Sequence, residues 1–280
     1  MQITLDYFSP KPNYPTYPPY HKGLYLEDYF MDFLMKNKPN TPRYFIPVLW
    51  TSYYNNGMPW IILQRFLNSL NPSLPYYVVS QHDDAPAQRL PPNTLVFSAG
   101  GNYSGPNCIP IPLICSSIEK PTTTNKDIFC SFVGSATHGI RNELFNTFKS
   151  DADFSFTQGG WDINVSQDKL NHFIDITNRS KFALCPRGYG KSSFRLYETM
   201  QLGTVPVYVS DDHYLPWTDE LDWNEFCVLV KQKDIGDLKH ILLNISTEKY
   251  NSMLNKAKEI YNQYFTLEGM CKQIIKRVKL

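Results

Sequence analysis

Eighteen of the 21 prolines in this chain fall within residues 1–140, which leaves three for residues 141–280. Proline lacks an amide hydrogen and has a locked φ, so a segment this rich in it cannot sustain long helices or central strands without interruption. The first half is therefore expected to be short strands and proline-bounded loops. Charge runs the other way: residues 1–140 hold 9 basic and 8 acidic side chains, and residues 141–280 hold 18 of each. Helices tolerate few prolines and carry charge on their solvent faces, so the second half should be helix-rich. The contrast predicts two domains with a join near residues 117–125, where Pro121 stands among Ser, Thr and Asn. The expected bounds are 1–120, 121–258 and a C-terminal helix over 259–280 that packs back on the first domain.

A formal charge of +1 over 280 residues excludes a dedicated binder of nucleic acid or of an anionic membrane, either of which needs a basic excess. No apolar run approaches the roughly 18 residues of a membrane span. Residues 1–10 lack the basic start and apolar core of a secretory leader, so a soluble, cytoplasmic protein is expected. The six cysteines (Cys108, Cys115, Cys130, Cys185, Cys227, Cys271) form no short metal-ligand pair and no disulfide framework. Cys130 and Cys185 sit in apolar runs, where a free thiol behaves as a small hydrophobe in a reducing compartment. The sequons at Asn102, Asn164, Asn178 and Asn244 matter only in a secretory protein.

Within the first half, residues 7–20 read as an extended Tyr/Pro-rich arm, and 24–35 and 58–70 have helical spacing. Residues 44–50, 76–80 and 94–98 read as strands. The second half repeats a strand, loop and helix. Strands are expected at 127–133, 181–185 and 204–210. Helices are expected at 140–149, 169–178, 193–202, 235–245 and 247–265. Such alternation predicts parallel α/β sheets.

Ligands of such sheets bind beyond the carboxyl ends of the strands, at loops that lead into helix N-termini. Two loops qualify. Gly134-Ser135-Ala136-Thr137-His138-Gly139 precedes Arg141, and its backbone N–H groups with that cation suit a phosphate. A plain connection with Arg141 on a solvated face fits the same residues. The second loop, 185–193, carries Arg187, Gly188, Gly190 and Lys191, with Ser192 or Ser193 as N-cap. It is not a nucleotide-binding P-loop, because Cys185 stands where the first glycine is required. Arg195 and Glu198 share one helix face, as a surface ion pair or as ligands of a diphosphate and a ribose. Upstream, Ser80-Gln81-His82-Asp83-Asp84 closes a strand, where a carboxylate could serve as general base and where an ordinary turn fits equally. Asp151-Ala152-Asp153 matches a metal-binding pattern so short that chance supplies about one per chain of this composition. No histidine spacing suits zinc, and no hydrolase nucleophile motif is present.

Taken in order, Lys181-Phe182-Ala183-Leu184-Cys185-Pro186-Arg187-Gly188, Ser193-Phe194-Arg195-Leu196-Tyr197-Glu198, Gly203-Thr204-Val205-Pro206-Val207, Leu215-Pro216-Trp217 and Leu221-Asp222-Trp223 resemble the exostosin-like glycosyltransferases, family 47. Phe132-Val133-Gly134, His138-Gly139-Ile140-Arg141, Tyr77-Val78-Val79 with Ser80 and His82-Asp83, and Ile46-Pro47-Val48 resemble its plant branch. The likeness spans roughly residues 44–265. The sequence departs from the plant pattern at Gln81, which separates Ser80 from His82, and at Asp84, where a Trp is usual; it also lacks the family's N-terminal anchor.

The resemblance implies a GT-B fold of two Rossmann-like domains across a cleft, and an inverting, metal-independent transferase with no cofactor. It implies a UDP-sugar donor, with UDP-xylose or UDP-galactose leading, and a glycan or glycoprotein acceptor. Matched by position, Gly134, His138, Arg141, Arg187, Ser193 and Arg195 would hold the diphosphate and Glu198 the ribose. Asp83, or less well His82, would be the base. Aromatics of residues 7–29 could stack on acceptor sugars, or serve as packing. The alternative is a catalytically silent glycan-binding or partner subunit on the same fold, against which the intact Arg141, Arg187, Arg195 and Glu198 set speaks.

Overall fold

A computed structural model describes residues 25–103, 105–114, 117–119, 125–162 and 165–280. The expected arm at 7–20, part of the join at 117–125 and the sequon residue Asn164 lie outside the described residues.

Two all-parallel sheets organise the chain. β1 (Tyr44–Phe45), β2 (Tyr76–Ser80), β3 (Leu95–Ser98) and β4 (Cys108–Pro110) form the first, in that order. β5 (Ile128–Ser135), β6 (Phe154–Gly159), β7 (Ser180–Pro186), β8 (Val205–Val209) and β9 (Val228–Val230) form the second, in the order β6-β5-β7-β8-β9. Helices α1 (Leu26–Asn37), α2 (Trp50–Asn55) and α3 (Trp60–Ser69) accompany the first sheet. The second has α4 (Gly139–Phe148), α5 (Gln167–Arg179), α6 (Phe194–Gln201), α7 (Leu238–Leu243) and α8 (Thr247–Tyr264), and α9 (Leu267–Val278) ends the chain. This is the GT-B arrangement of two parallel α/β units.

Side chains alternate across a strand, and both sheet faces here are covered. Along β2, Tyr76 and Val78 enter the core beneath α2 and α3, while Tyr77 and Val79 enter a second core on the opposite face. Along β8, Val205, Val207 and Val209 pack with Ile140 and Leu144 of α4, and Tyr208 points the other way. That other core is shared by the two sheets. It joins Tyr77, Val79 and Phe97 to Cys185, Leu196, Tyr208 and, from α9, Met270 and Ile274. α9 also packs against α1, so the chain's last helix closes on its first described one. Among the described residues no helix is long and apolar enough to cross a membrane.

Several elements differ from the sequence expectation. The strand expected over 44–50 is only Tyr44–Phe45, because Pro47 cannot extend the ladder and Trp50 starts α2. The helix expected over 235–245 begins as a tighter 3₁₀ segment (Gln232–Asp237) before α7. Residue 258 falls inside α8; the break comes at Phe265–Thr266, where the Thr266 side chain accepts from Gly269 N and starts α9. Tyr25 is buried and the half-buried Tyr29 packs on the shared core, which fits the packing reading of these two aromatics.

The units are pinned where β3 ends. Gly100 O accepts from Ser192 N at 3.3 Å, and Ser98 O accepts from the Tyr214 hydroxyl at 2.8 Å. Between them Gly101 has φ +93°, and a β-carbon there would lie 2.9 Å from the Tyr214 ring and 3.0 Å from Lys191 Cβ. Both the dihedral and the space demand glycine. Gly101→Ala is expected to cost about 2 kcal/mol, read as a lowered urea midpoint at unchanged slope; a midpoint equal to wild type would show that this junction yields freely.

Candidate functional site

The carboxyl ends of both sheets open on one cleft. Its walls bring together Asp83 from the first unit with Ser135, Thr137, Arg141, Ser193, Arg195 and Glu198 from the second.

Arg141 is where the site is most built. It sits in the first turn of α4 and is only 8% exposed. Its Nη1 donates to Ser135 O at 2.8 Å, Nε to Arg187 O at 3.0 Å and Nη2 to Pro186 O at 3.2 Å. The guanidinium fork thus ties the loop after β5 to the loop after β7, with the Phe132 ring 5.7 Å away. The solvated-face reading of Arg141 is excluded. Its charge still lies in the cleft, held by neutral carbonyls with no carboxylate among those three bonds.

Arg195 is fixed the same way. Nε donates to Val133 O at 2.7 Å, the guanidinium lies 4.0 Å over the Phe173 ring, and Nη1 pairs with Glu198. Glu198 is buried, so this pair is no solvated surface ion pair. Ser193 is the N-cap of α6 and its side chain makes no cap bond, so the helix start, which lines the cleft at Ser193 and Phe194, has first-turn N–H groups without a side-chain cap. A helix N-terminus flanked by two cations is a ready anion site.

The remaining expected residues are more peripheral. Arg187 arches over its own loop, Nη2 to Tyr189 O at 3.2 Å, and its charge acts on Asp83 and His138. His138 caps α4: its Nδ1 accepts from Ile140 N at 3.3 Å. Burial first, then Arg187 and Arg141, lower its pKa, which keeps the ring neutral and able to accept. Neither His138 nor Gly134 lines the cleft. His82 points away, stacked on the Tyr54 ring at 5.0 Å, with Nδ1 accepting from Asp84 N at 3.1 Å.

Asp83 is the carboxylate that the first unit brings to the cleft, where Asp162 and Glu198 come from the second. Its backbone carbonyl accepts from Asn102 N at 3.0 Å, which ties it to the chain beyond β3. Its side chain presses on Gly190, where any β-carbon would collide with the carboxylate and with Gly100 O. Burial, then the neighbouring Asp84, push its pKa up to about 7, against the pull of Arg187. Asp151 and Asp153, by contrast, are both engaged by Lys239, at 2.8 and 2.7 Å, and line no part of the cleft.

Trp161, Asp162 and Val165 also line the cleft and were missed from sequence. They follow β6, whose Phe154-Ser155-Phe156-Thr157 alternation is the signal that would have found them: a strand there places its C-terminal loop at the site. Trp161 and Tyr189 are 59% and 61% exposed, large aromatic surfaces on the cleft wall.

A family model described as the Exostosin GT47 domain matches residues 66–245, well over half the chain. Among curated proteins, "Probable beta-1,4-xylosyltransferase IRX10" of Arabidopsis thaliana is 34% identical over 110 residues, 39% of this chain and 24% of the relative. "Exostosin-1 homolog" of Caenorhabditis elegans is 28% identical over 144 residues, 47% of this chain and 37% of the relative. The chain therefore spans well under half the length of these relatives. Among solved structures, TarM aligns at 12% identity and a TM-score of 0.47, over 77% of this chain and 52% of that one.

Arg141→Lys is expected to behave as a structural lesion, because one ammonium cannot reach three diverging carbonyls. A loss of about 2–3 kcal/mol in urea unfolding is expected; wild-type stability would mean the two loops hold together without the fork.

Proposed function

The chain belongs to the exostosin GT47 family, and on that premise we propose that it is an inverting glycosyltransferase that moves a sugar from a UDP-sugar to a glycan hydroxyl. The observation that carries this reading is the opposition of charge across the cleft. A carboxylate raised to about 7 stands on one side, and anchored arginines with a helix N-terminus stand on the other.

In the proposed reaction the acceptor oxygen attacks the anomeric carbon as the bond to the diphosphate breaks. The acceptor's proton passes to Asp83, and the departing UDP carries away the electron pair. Positive groups already in place where that charge develops act strongly in a water-poor site and need not reorganise. Arg141, Arg187, Arg195 and the α6 N-terminus are the proposed group, with no metal required. Glu198, steadied by Arg195, is the proposed ribose ligand. UDP-xylose or UDP-galactose is the proposed donor; a relative named for xylosyl transfer supports the first.

The test is calorimetric titration of UDP in EDTA, followed by UDP release over a panel of UDP-sugars with glycan acceptors. Wild type should bind UDP in EDTA and turn over one sugar. Its rate should rise with pH through about 7, because a base must lose its own proton to act. Asp83→Asn should keep UDP binding and lose at least about 10²-fold in turnover. Undiminished transfer by Asp83→Asn would remove the base assignment.

Glu198→Ala should instead weaken UDP binding about tenfold, roughly the worth of one charge-assisted hydrogen bond. Equal UDP affinity in Glu198→Ala and wild type would sink its role at the ribose. Folded wild-type protein that binds no UDP, with or without added metal, would favour the silent-subunit reading.

A further inference from the structure

We propose that Glu27, at the start of α1, is a positioning residue that fixes the Asp83 loop; this rests on the reading of Asp83 as the base. Glu27 is 1% exposed, and its three hydrogen bonds run to neutral groups, an unusual setting for a carboxyl. Its Oε1 accepts from Gln81 N at 2.7 Å and from the Thr51 hydroxyl at 2.8 Å, and its Oε2 accepts from Thr51 N at 2.9 Å. Gln81 is the first residue beyond β2 and lies two positions before Asp83. Its own side chain returns the contact, Oε1 accepting from Leu26 N at 3.0 Å. Three ends meet here: the start of α1, the start of α2 and the exit of β2. Neither helix has a side-chain cap of its own, so Gln81 caps α1 and Glu27 caps α2 from across the fold.

The clasp reaches the loop by two routes. Gln81 N is held directly. α2 is held at Thr51, and one turn further on it carries Tyr54, which stacks on His82 and whose hydroxyl accepts from Ala87 N at 2.9 Å. The segment 81–87 is thus held at both ends and at His82. Asp83, next along it, is pressed against Gly190. Burial pushes the Glu27 carboxyl up to about 8, against the pull of the bonds from Gln81 and Thr51, so the network is costly to keep buried. An apolar residue would fill this space with less penalty but would leave two backbone N–H groups unpartnered.

Each oxygen faces a backbone N–H, Gln81 N on Oε1 and Thr51 N on Oε2, so both must accept whether or not the carboxyl carries a proton. Glu27→Gln keeps the shape but turns one oxygen into an NH₂ that faces an N–H donor. In protein with wild-type UDP affinity, kcat should fall ten- to hundredfold while donor KM holds. The Asp83 titration, followed by NMR of ¹³C-carboxyl-labelled aspartate, should move below its wild-type midpoint as the loosened loop admits water. The charges that act on Asp83 are Asp84 and Arg187, so a shift on altering Glu27 reports the loop.

An unmoved Asp83 midpoint overturns the proposal, and so does a parallel loss of UDP affinity, which would make Glu27 a general stabiliser. If wild type transfers no sugar, it is the transferase reading that has failed, and the Asp83 midpoint still decides for Glu27. Should Glu27→Gln not fold, Thr51→Val decides in its place. It removes one donor and keeps the backbone, and a smaller shift of the same sign is expected; no shift overturns the role.

Discussion

The contact between Asp83 and Gly190 is the constraint on which the cleft depends. It is where the loop after β2 meets the loop after β7, with Gly100 as the third member, and no β-carbon fits at Gly190. It buries a carboxyl against backbone with only Arg187 to offset the desolvation. The sign of the resulting linkage is definite. The folded-state pKa of about 7 lies above the ordinary value of 3.8. The native state therefore holds this proton more tightly than the unfolded chain does. Its contribution to stability is present at low pH and is lost as pH rises through about 7. In the proposed role of base, Asp83 works ionised, where this contact is least stabilising, a usual relation between function and stability.

Such a contact persists only if the surroundings leave it no alternative. The core shared by the two sheets does this from below: residues of β2, β3, β7, β8 and α9 lie in one continuous apolar cluster. Close-packed interiors transmit strain and do not slide, so the two loop sets meet at a fixed distance. Tyr214, reaching from beyond β8 to Ser98 O, and Ser192 N on Gly100 O set the same distance from above.

Much of this was legible in the sequence because it follows from period and proline. The runs 76–80 and 204–210 are apolar on both faces, as buried parallel strands must be, and their observed spans differ from expectation by at most a residue. Helix starts at Ser166 and Ser246 carry their own caps. What stayed hidden has physical causes. β4 and β9 are three residues each, too short to show a period. β6 is an edge strand with a half-polar pattern, and with it went Trp161. Glu27 was invisible because its partners lie 24 and 54 residues away, and local pattern reads an acidic residue at a helix start as a dipole partner.

The division of labour among the arginines could not be read from sequence either, and it bears on mechanism. Position in a motif assigns Arg141 and Arg195 to the proposed phosphate site; it does not say what their donors are doing. Three of the Arg141 donors hold carbonyls of two loops, and Arg195 holds Val133 O and Glu198. Side chains so committed do not swing onto an incoming ligand. They present a charge whose position is fixed before the ligand arrives, so the cost of assembling it is met during folding and not during the reaction. The cleft also carries exposed aromatic surface, on Trp161 and Tyr189. Fixed charge beneath and aromatic surface at the rim suit the proposed site, in which one kind of leaving group is held against a wall that contacts donor and acceptor.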